Sequence, residues 1–334
     1  MTPTDFLSSR FHYTFGAHEP TLTVQSGATL RVTCPDCDNR MADGTLLTEQ
    51  QRQAVGPGIV RGNPMAGPIH IQGAEPGDTL AVTIHKVELE SGLGRTLLAP
   101  KHGLLPDRLV TPTNHTPANE TATTTPRHMY EWAIDTAAGT ATIKNPLGGK
   151  SLSLPLDPFV GCIGVCPVDS KPISSLYCGD FGGNYDLPLI RPGATVFLPI
   201  SHEGGLLMMG DIHAAQGYGE AIGGGVETAG AITCTLNVIK DTQVGACRLC
   251  DADHIWAIGL HEDLRQAIQV AYARLLDWLS APGVVDRYDL YNLLSQCATV
   301  TIGNLNEVPY PAAAGVCVDR LPLSVKEAIK PWLR

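Results

Sequence analysis

The sequence predicts a β-dominated α+β fold, with a β-sandwich-like core and a C-terminal helical pair. Three observations carry that expectation. Gly (35) and Pro (25) are abundant and spread along the 334 residues, which suits many short strands joined by tight turns. Stretches such as 80–88 (LAVTIHKVE) and 231–239 alternate apolar and polar side chains with the period of two that a half-buried strand requires. Helical spacing of apolar residues appears only after residue 262. With 43% hydrophobic residues the chain can bury a substantial core. It reads as one unit over 1–334, mainly β in 1–250 and mainly helical in 258–300.

Taken in order, residues 12–15, 22–24 and 29–33 read as short strands. The last runs into Cys34-Pro35-Asp36-Cys37, where proline ends the ladder. Asp36, at that strand end, is either an Asx-turn cap or a site residue. Residues 38–62 are polar and glycine-rich, an exposed loop. Residues 69–72 form a strand, and Glu75-Pro76-Gly77-Asp78 a type II turn. His85, within the alternating strand 80–88, reads as a surface residue. Residues 91–127 read as a long loop able to shape a pocket, and His102 and His115 there, with His128 just beyond, read as solvated. Two strands flank Ala138-Gly139, and 152–156 with 159–165 form another strand pair. Strands follow at 195–200, 206–213 and 231–239. Leu264, Ile268, Ala271, Leu275 and Leu279 recur at helical spacing over 262–280, and Pro282-Gly283 stops that helix. Leu290, Leu293, Leu294 and Cys297 mark a second helix over 289–299, and 325–332 a short final one.

Composition narrows the function. The net charge is −10 with no lysine or arginine block, so no phosphate-binding surface is expected and nucleic acid is not a partner. The first residues lack an apolar signal-peptide segment, and no run of about 18 apolar residues suggests a membrane span. A soluble, cytoplasmic protein with reduced thiols is expected. The ten cysteines include Cys34-x-x-Cys37 and Cys247-x-x-Cys250, whose separation is far from zinc-ribbon spacing, so they read as small buried hydrophobes. No Gly-x-Ser-x-Gly elbow supports a serine nucleophile, and nothing in the sequence near Cys178 lowers its pKa.

The chemistry-bearing stretch is 178–228, rich in glycine and carrying the carboxylates of Asp180, Asp186, Glu203, Asp211, Glu220 and Glu227. On a strand, Asp211 and His213 share a face, because side chains at i and i+2 do. Gly217 and Gly219 allow the backbone to turn so that Gln216 and Glu220 fold back toward that face. A carboxylate beside an imidazole, with another carboxylate and an amide near, binds a metal or moves protons. The structural alternative is a glycine-rich bend with a hydrogen-bonded His–Asp pair. His202 and Glu203, in a loop between strands, are secondary candidates.

Residues 210–220, GDIHAAQGYGE, resemble the signature of the acetamidase/formamidase family, which reads close to GDGHAAQGDGE. Further blocks match in the same order. Residues 63–78 (NPMAGPIHIQGAEPGD) resemble NPVTGPVYVEGAEPGD, 161–165 match GCIGV, 182–186 (GGNYD) resemble GGNMD, and 191–199 resemble the following GSTLYLPV. The departures are Ile212 for a usual Gly, Tyr218 for Asp, Tyr185 for Met, and His70 where an aromatic is common.

The resemblance implies metal-assisted hydrolysis of a short aliphatic amide to carboxylate and ammonia. It also implies a dimer or larger homo-oligomer. Asp36, Asp211 and His213 would hold a divalent metal. Zinc suits a mixed His/Asp set, and calcium and magnesium also accept such oxygen donors. Glu220 would act as the general base, with Asn184 and Gln216 hydrogen-bonding the amide or its oxyanion. Two alternatives stand beside it: a γ-lactam or other cyclic-amide hydrolase using the same site, and a non-catalytic β-rich binding protein.

Overall fold

The computed structural model describes residues 2–53, 62–105 and 125–333. His115 lies outside them. Two large sheets dominate. The first has nine strands in the spatial order Thr4–Leu7, Ala28–Cys34, Gly230–Ile239, Thr79–Leu89, Thr195–Pro199, Arg248–Cys250, His254–His261, Tyr310–Cys317 and Ala298–Ile302. The second is built around Phe159–Gly164 and Leu207–His213, which pair antiparallel. It extends on one side through Glu227–Thr228, Leu93–Leu98, His128–Asp135, Thr140–Ile143 and Ser153–Pro155, and on the other through Gly182–Asn184 and Cys178–Gly179. Met65–Gln72 also pairs with Leu207–His213 and carries two more short strands.

The alternation in the sequence explains the layers. Leu80, Val82 and Ile84 of one strand and Val196 and Leu198 of its neighbour point inward, where they share a core with Ile69, Ile71, Val160, Ile163, Leu207 and Met209 of the second sheet. The intervening Ala81 and Phe197 point outward, into a second core roofed by helices. The first sheet is therefore apolar on both faces where the helices cover it, whereas Thr29, Arg31 and Thr235 leave the outer face of its remaining strands polar.

The helices are α1 (Leu264–Ser280), α2 (Arg287–Cys297) and α3 (Leu323–Ile329). Asp263 caps α1 by accepting from the Gln266 N–H, and Asp286 caps α2 by accepting from Tyr288 and Asp289. Buried Ala267, Ala271, Leu275, Trp278 and Leu279 form the inner stripe of α1. Each of the large side chains among them contributes about 1.5–3 kcal/mol of burial. The helix lies directly on the sheet at Gly259, where a Cβ would stand 2.2 Å from the Ala267 carbonyl oxygen. Among the described residues no helix is long and apolar enough to cross a membrane.

The structure revises several element expectations. Leu93–Leu98 is a strand inside the stretch read as a loop, held because Thr228 and Val226 back it. Ser153–Pro155 pairs with Thr140–Ile143, not with Phe159–Gly164. His254–His261 adds a strand before the helices, and α2 stops at Cys297 because the chain enters the strand Ala298–Ile302 at once. That strand and Tyr310–Cys317 continue the first sheet beyond the helical pair.

Candidate active site

The site forms where Leu207–His213 meets its neighbours. His213 stands opposite Glu227 in the pairing with Glu227–Thr228 and opposite Phe159 in the pairing with Phe159–Gly164. The register therefore delivers Glu227 to His213. Glu227 is held by the Gly225 N–H, which donates to Oε1 at 2.7 Å, and its Oε2 lies 2.9 Å from His213 Nε2. Asp211 lies 3.6 Å from the same nitrogen through Oδ1. The expected sharing of a face by Asp211 and His213 is what the structure shows.

Asp186 enters from the end of Gly182–Asn184, its N–H donating to the Gly161 carbonyl at 3.1 Å. Its Oδ1 lies 4.0 Å from His213 Nε2. Its Oδ2 accepts from Asn184 Nδ2 at 2.6 Å and from Asn304 Nδ2 at 2.9 Å. Gly161 leaves the space between carboxylates: a Cβ there would stand 2.5 Å from Asp186 Oδ1 and 2.8 Å from Asp211 Oδ2. Glu220 completes the set, with Asn306 Nδ2 donating to its main-chain oxygen at 2.8 Å and reaching its Oε2 at 3.4 Å.

Backbone geometry singles out the same residues. Asp186, Asp211 and Glu220 have φ of 43°, 61° and 48°. A non-glycine residue in this region costs about 1–2 kcal/mol, so three such residues in one cluster mark a place where the fold holds strain.

The electrostatics are severe. Asp186, Asp211, Glu220 and Glu227 are all buried around one buried imidazole. Burial pushes the Asp186 carboxyl well up, and the charges of Glu220 and Asp211 add to this. Burial likewise raises Glu227, and takes Glu220 to about 8. For His213 burial acts to lower the pKa, but the carboxylates of Glu227 and Asp211 override it and hold the imidazole well above its ordinary value. Four buried acids around a single histidine are poorly compensated without a further cation.

The hydrogen bonds agree. Among the described residues, Asp186 Oδ1, Glu227 Oε2 and His213 Nε2 are buried and make no hydrogen bond of acceptable geometry. The 2.9 Å approach of the last two is thus a contact without hydrogen-bond alignment. Donor atoms of Asp186, His213 and Glu220 lie within 4.8 Å of one another, as do those of Asp211, His213 and Glu227. Orphaned oxygen and nitrogen donors in this arrangement fit a divalent cation.

The other sequence candidates fall elsewhere. Asp36 is not brought into this cluster. Its Oδ1 accepts from the N–H groups of Asp38 and Arg40, at 3.0 and 2.8 Å, closing the turn after Ala28–Cys34. Gln216 donates through Nε2 to the Asp186 carbonyl at 2.9 Å, and so supports the chain behind the cluster. Asn184 has both polar atoms engaged, since its Oδ1 accepts from Asn63 Nδ2 at 3.0 Å. His202 bonds the Pro167 carbonyl, away from the cluster. Cys178 is buried, its thiol is raised by that burial, and it faces the Pro309 carbonyl. Among the described residues no cysteine belongs to a group able to hold a metal. Asp186, Glu227, Asn304 and Asn306 are the residues that sequence reasoning did not select. Asp186 closes the GGNYD block and Glu227 stands in the chemistry-bearing stretch, whereas the two asparagines carried no signal.

Asp186, Asp211, Glu220 and Glu227 open onto a cavity of about 720 Å³, which Tyr13, Cys37, Arg95, His102 and Met129 also line. His102 is therefore a cavity residue, its Nε2 bonded to the Gly223 carbonyl at 2.8 Å.

The model of the Acetamidase/Formamidase family matches residues 4–175 and 176–249. A formamidase from Methylophilus methylotrophus is 40% identical over 63 residues, which is 19% of this chain and 16% of that protein. The aligned segment thus spans less than a fifth of that relative's length. The crystal structure of an acetamidase from Yersinia enterocolitica superposes with a TM-score of 0.77 at 30% identity, covering 96% of this chain and 93% of that one. An acetamidase from Bacillus halodurans superposes with a TM-score of 0.76 at 26% identity, covering 95% and 98%.

Proposed function

The chain belongs to the acetamidase/formamidase family, and we propose that it hydrolyses the carbon–nitrogen bond of a small amide at the His213 cluster. One observation carries the reading. His213 Nε2, Glu227 Oε2 and Asp186 Oδ1 are buried and without hydrogen bonds, the two oxygens 2.9 and 4.0 Å from that nitrogen, beside a cavity that two further carboxylates line.

Asp186, Asp211, His213 and Glu227 would hold a divalent metal, with zinc the ion that best suits one imidazole among carboxylates. Such an ion supplies Lewis acidity toward a carbonyl oxygen and lowers the pKa of water. Glu220 lines the cavity and has one oxygen within reach of Asn306. Its carboxylate takes the proton of the attacking water and returns it to the departing nitrogen. The products are a carboxylate and ammonia. In the metal-free cluster burial takes the Glu220 carboxyl to about 8, and a divalent ion beside it would lower that value and free its carboxylate to accept a proton.

A second reading rests on size. Water occupies about 30 Å³ per molecule in the liquid, so the cavity of about 720 Å³ exceeds what formamide or acetamide fills. A γ-lactam or another larger amide fits it. Turnover of formamide, acetamide, propionamide and a γ-lactam, before and after chelation, separates the readings. Ammonia reports the linear amides, and disappearance of substrate reports the lactam. Loss of turnover with chelator and its return with zinc supports the metal-assisted reading. Activity indifferent to chelation in a chain that contains no metal sinks it. Family membership also leads us to propose self-association, which sedimentation equilibrium measures.

A further inference from the structure

We propose that Asn304 and Asn306, on the turn after the strand Ala298–Ile302, are positioning residues for the cluster: Asn304 aims the Asp186 carboxylate and Asn306 holds Glu220. This rests on the amide-hydrolase reading and deepens it. Both residues lie beyond residue 249, where the family match ends.

A side-chain amide can be turned either way, and neighbouring bonds decide which end is the donor. Here they decide it twice. Asn304 Oδ1 accepts from the Asn306 N–H at 2.7 Å, so its NH₂ end faces Asp186 Oδ2, at 2.9 Å. Asn184 Oδ1 accepts from Asn63 at 3.0 Å, so its NH₂ end faces the same oxygen, at 2.6 Å. Two donors thus anchor Oδ2. Oδ1 keeps no partner and lies 4.0 Å from His213 Nε2. The carboxylate is held by one oxygen and presents the other to the imidazole.

The turn is seated on the chain it orients. The Asn304 N–H donates to the Tyr185 carbonyl at 2.9 Å. Gly303 lies so close that a Cβ would stand 2.0 Å from that oxygen. On its other side the turn grips the Glu220 loop. The Gly219 N–H donates to the Ile302 carbonyl at 3.2 Å, and Asn306 Nδ2 donates to the Glu220 carbonyl at 2.8 Å while reaching Oε2. One short segment therefore braces two acids that enter from separate loops. Groups that orient metal ligands typically cost 10–100-fold in affinity or activity when removed.

The test uses the full chain loaded with zinc, alongside Asn304→Ala, Asn304→Asp and Asn306→Ala. Thermal midpoint, zinc retained against a chelator, kcat and KM are measured for an amide the parent hydrolyses. Asn304→Ala is expected to hold zinc about 10-fold or more weakly. Asn306→Ala is expected to keep zinc and KM while kcat falls about 10-fold or more. Asn304→Asp keeps the acceptor for the Asn306 N–H, hence the turn, but replaces the donor to Asp186 with a fifth carboxyl beside it; its zinc retention and kcat are expected to stay low and its midpoint to fall. Parent-like zinc retention in Asn304→Ala together with parent-like kcat in Asn306→Ala overturns the proposal. So does recovery of kcat in Asn304→Asp, which would reduce Asn304 to a turn former. A parent that retains zinc yet hydrolyses no amide sinks the hydrolase reading alone, and zinc retention then decides Asn304. A parent that does neither overturns both.

Discussion

Gly161 and Asp186 approach so closely that a single methyl group on Gly161 would collide with the Asp186 carboxylate. A Cβ on Gly161 would stand 2.5 Å from Asp186 Oδ1, and the Asp186 N–H is meanwhile bonded to the Gly161 carbonyl. The carboxylate cannot retreat without breaking its bonds to Asn184 and Asn304. On the metal-assisted reading proposed above, Gly161→Ala is expected to weaken zinc binding and lower kcat/KM about 100-fold. Overpacking should cost about 1–3 kcal/mol of stability. Metal analysis and amide turnover on one sample check it; a fully active, zinc-replete variant contradicts the geometry.

His213 and Asp36 should separate cleanly. His213 is the one nitrogen donor among four acids, so on the same proposed reading His213→Ala is expected to lose zinc binding and at least about 100-fold in turnover. Asp36 closes a turn through two backbone N–H groups, so Asp36→Ala should lower stability by about 1 kcal/mol and leave zinc content unchanged. Zinc loss in Asp36→Ala would return that residue to the cluster.

Gly259 tests the helical layer. A Cβ there would meet the Ala267 carbonyl oxygen and the Ala271 nitrogen, both at 2.2 Å, and these are backbone atoms that cannot swing away. Gly259→Ala must lift α1 from the sheet. A loss of about 1–3 kcal/mol is expected in denaturant unfolding, whereas Gly245→Ala, with open space around it, should be near neutral.

His12 sets an acid limit. Burial, reinforced by His18 and Arg10, holds its pKa at about 3 against an ordinary 6.5, and its ring stacks on His18 at 4.2 Å. Below pH 6.5 the unfolded chain takes up the proton, while the folded chain does so only near 3. The unfolded state thus binds more protons throughout that window, and stability should decline as pH falls from about 6.5 toward 3. His12→Gln removes this titration, and its stability should fall less steeply over the same range in urea unfolding.

Much of the architecture was legible because it depends on local periods. Alternation marked the strands 80–88 and 231–239, and helical spacing with Pro282-Gly283 marked α1. Leu93–Leu98 was not legible. It contains a glycine and an arginine, and it becomes a strand because Arg95 pairs with Glu227 in register and Val226 backs Gly94. Tertiary context overrides weak local preference in such segments.

The candidate site divides along the same line. The sequence by itself put Asp211 and His213 two apart on one strand, whose period brings such side chains together; the left-handed turn at Asp211 within that strand it did not show. It also placed Glu220 on a glycine-flanked turn within reach. Only the tertiary structure decided that Glu227 and Asp186 join them and that Asp36 does not. Glu227 arrives through the cross-strand register with His213, and Asp186 through a left-handed backbone turn opposite Gly161. Asn304 and Asn306 come from 84 and 86 residues beyond Glu220, carried back by the turn after Ala298–Ile302. Pairings between distant segments are chosen by which arrangement buries both sheets at once, and no local pattern of residues encodes that choice.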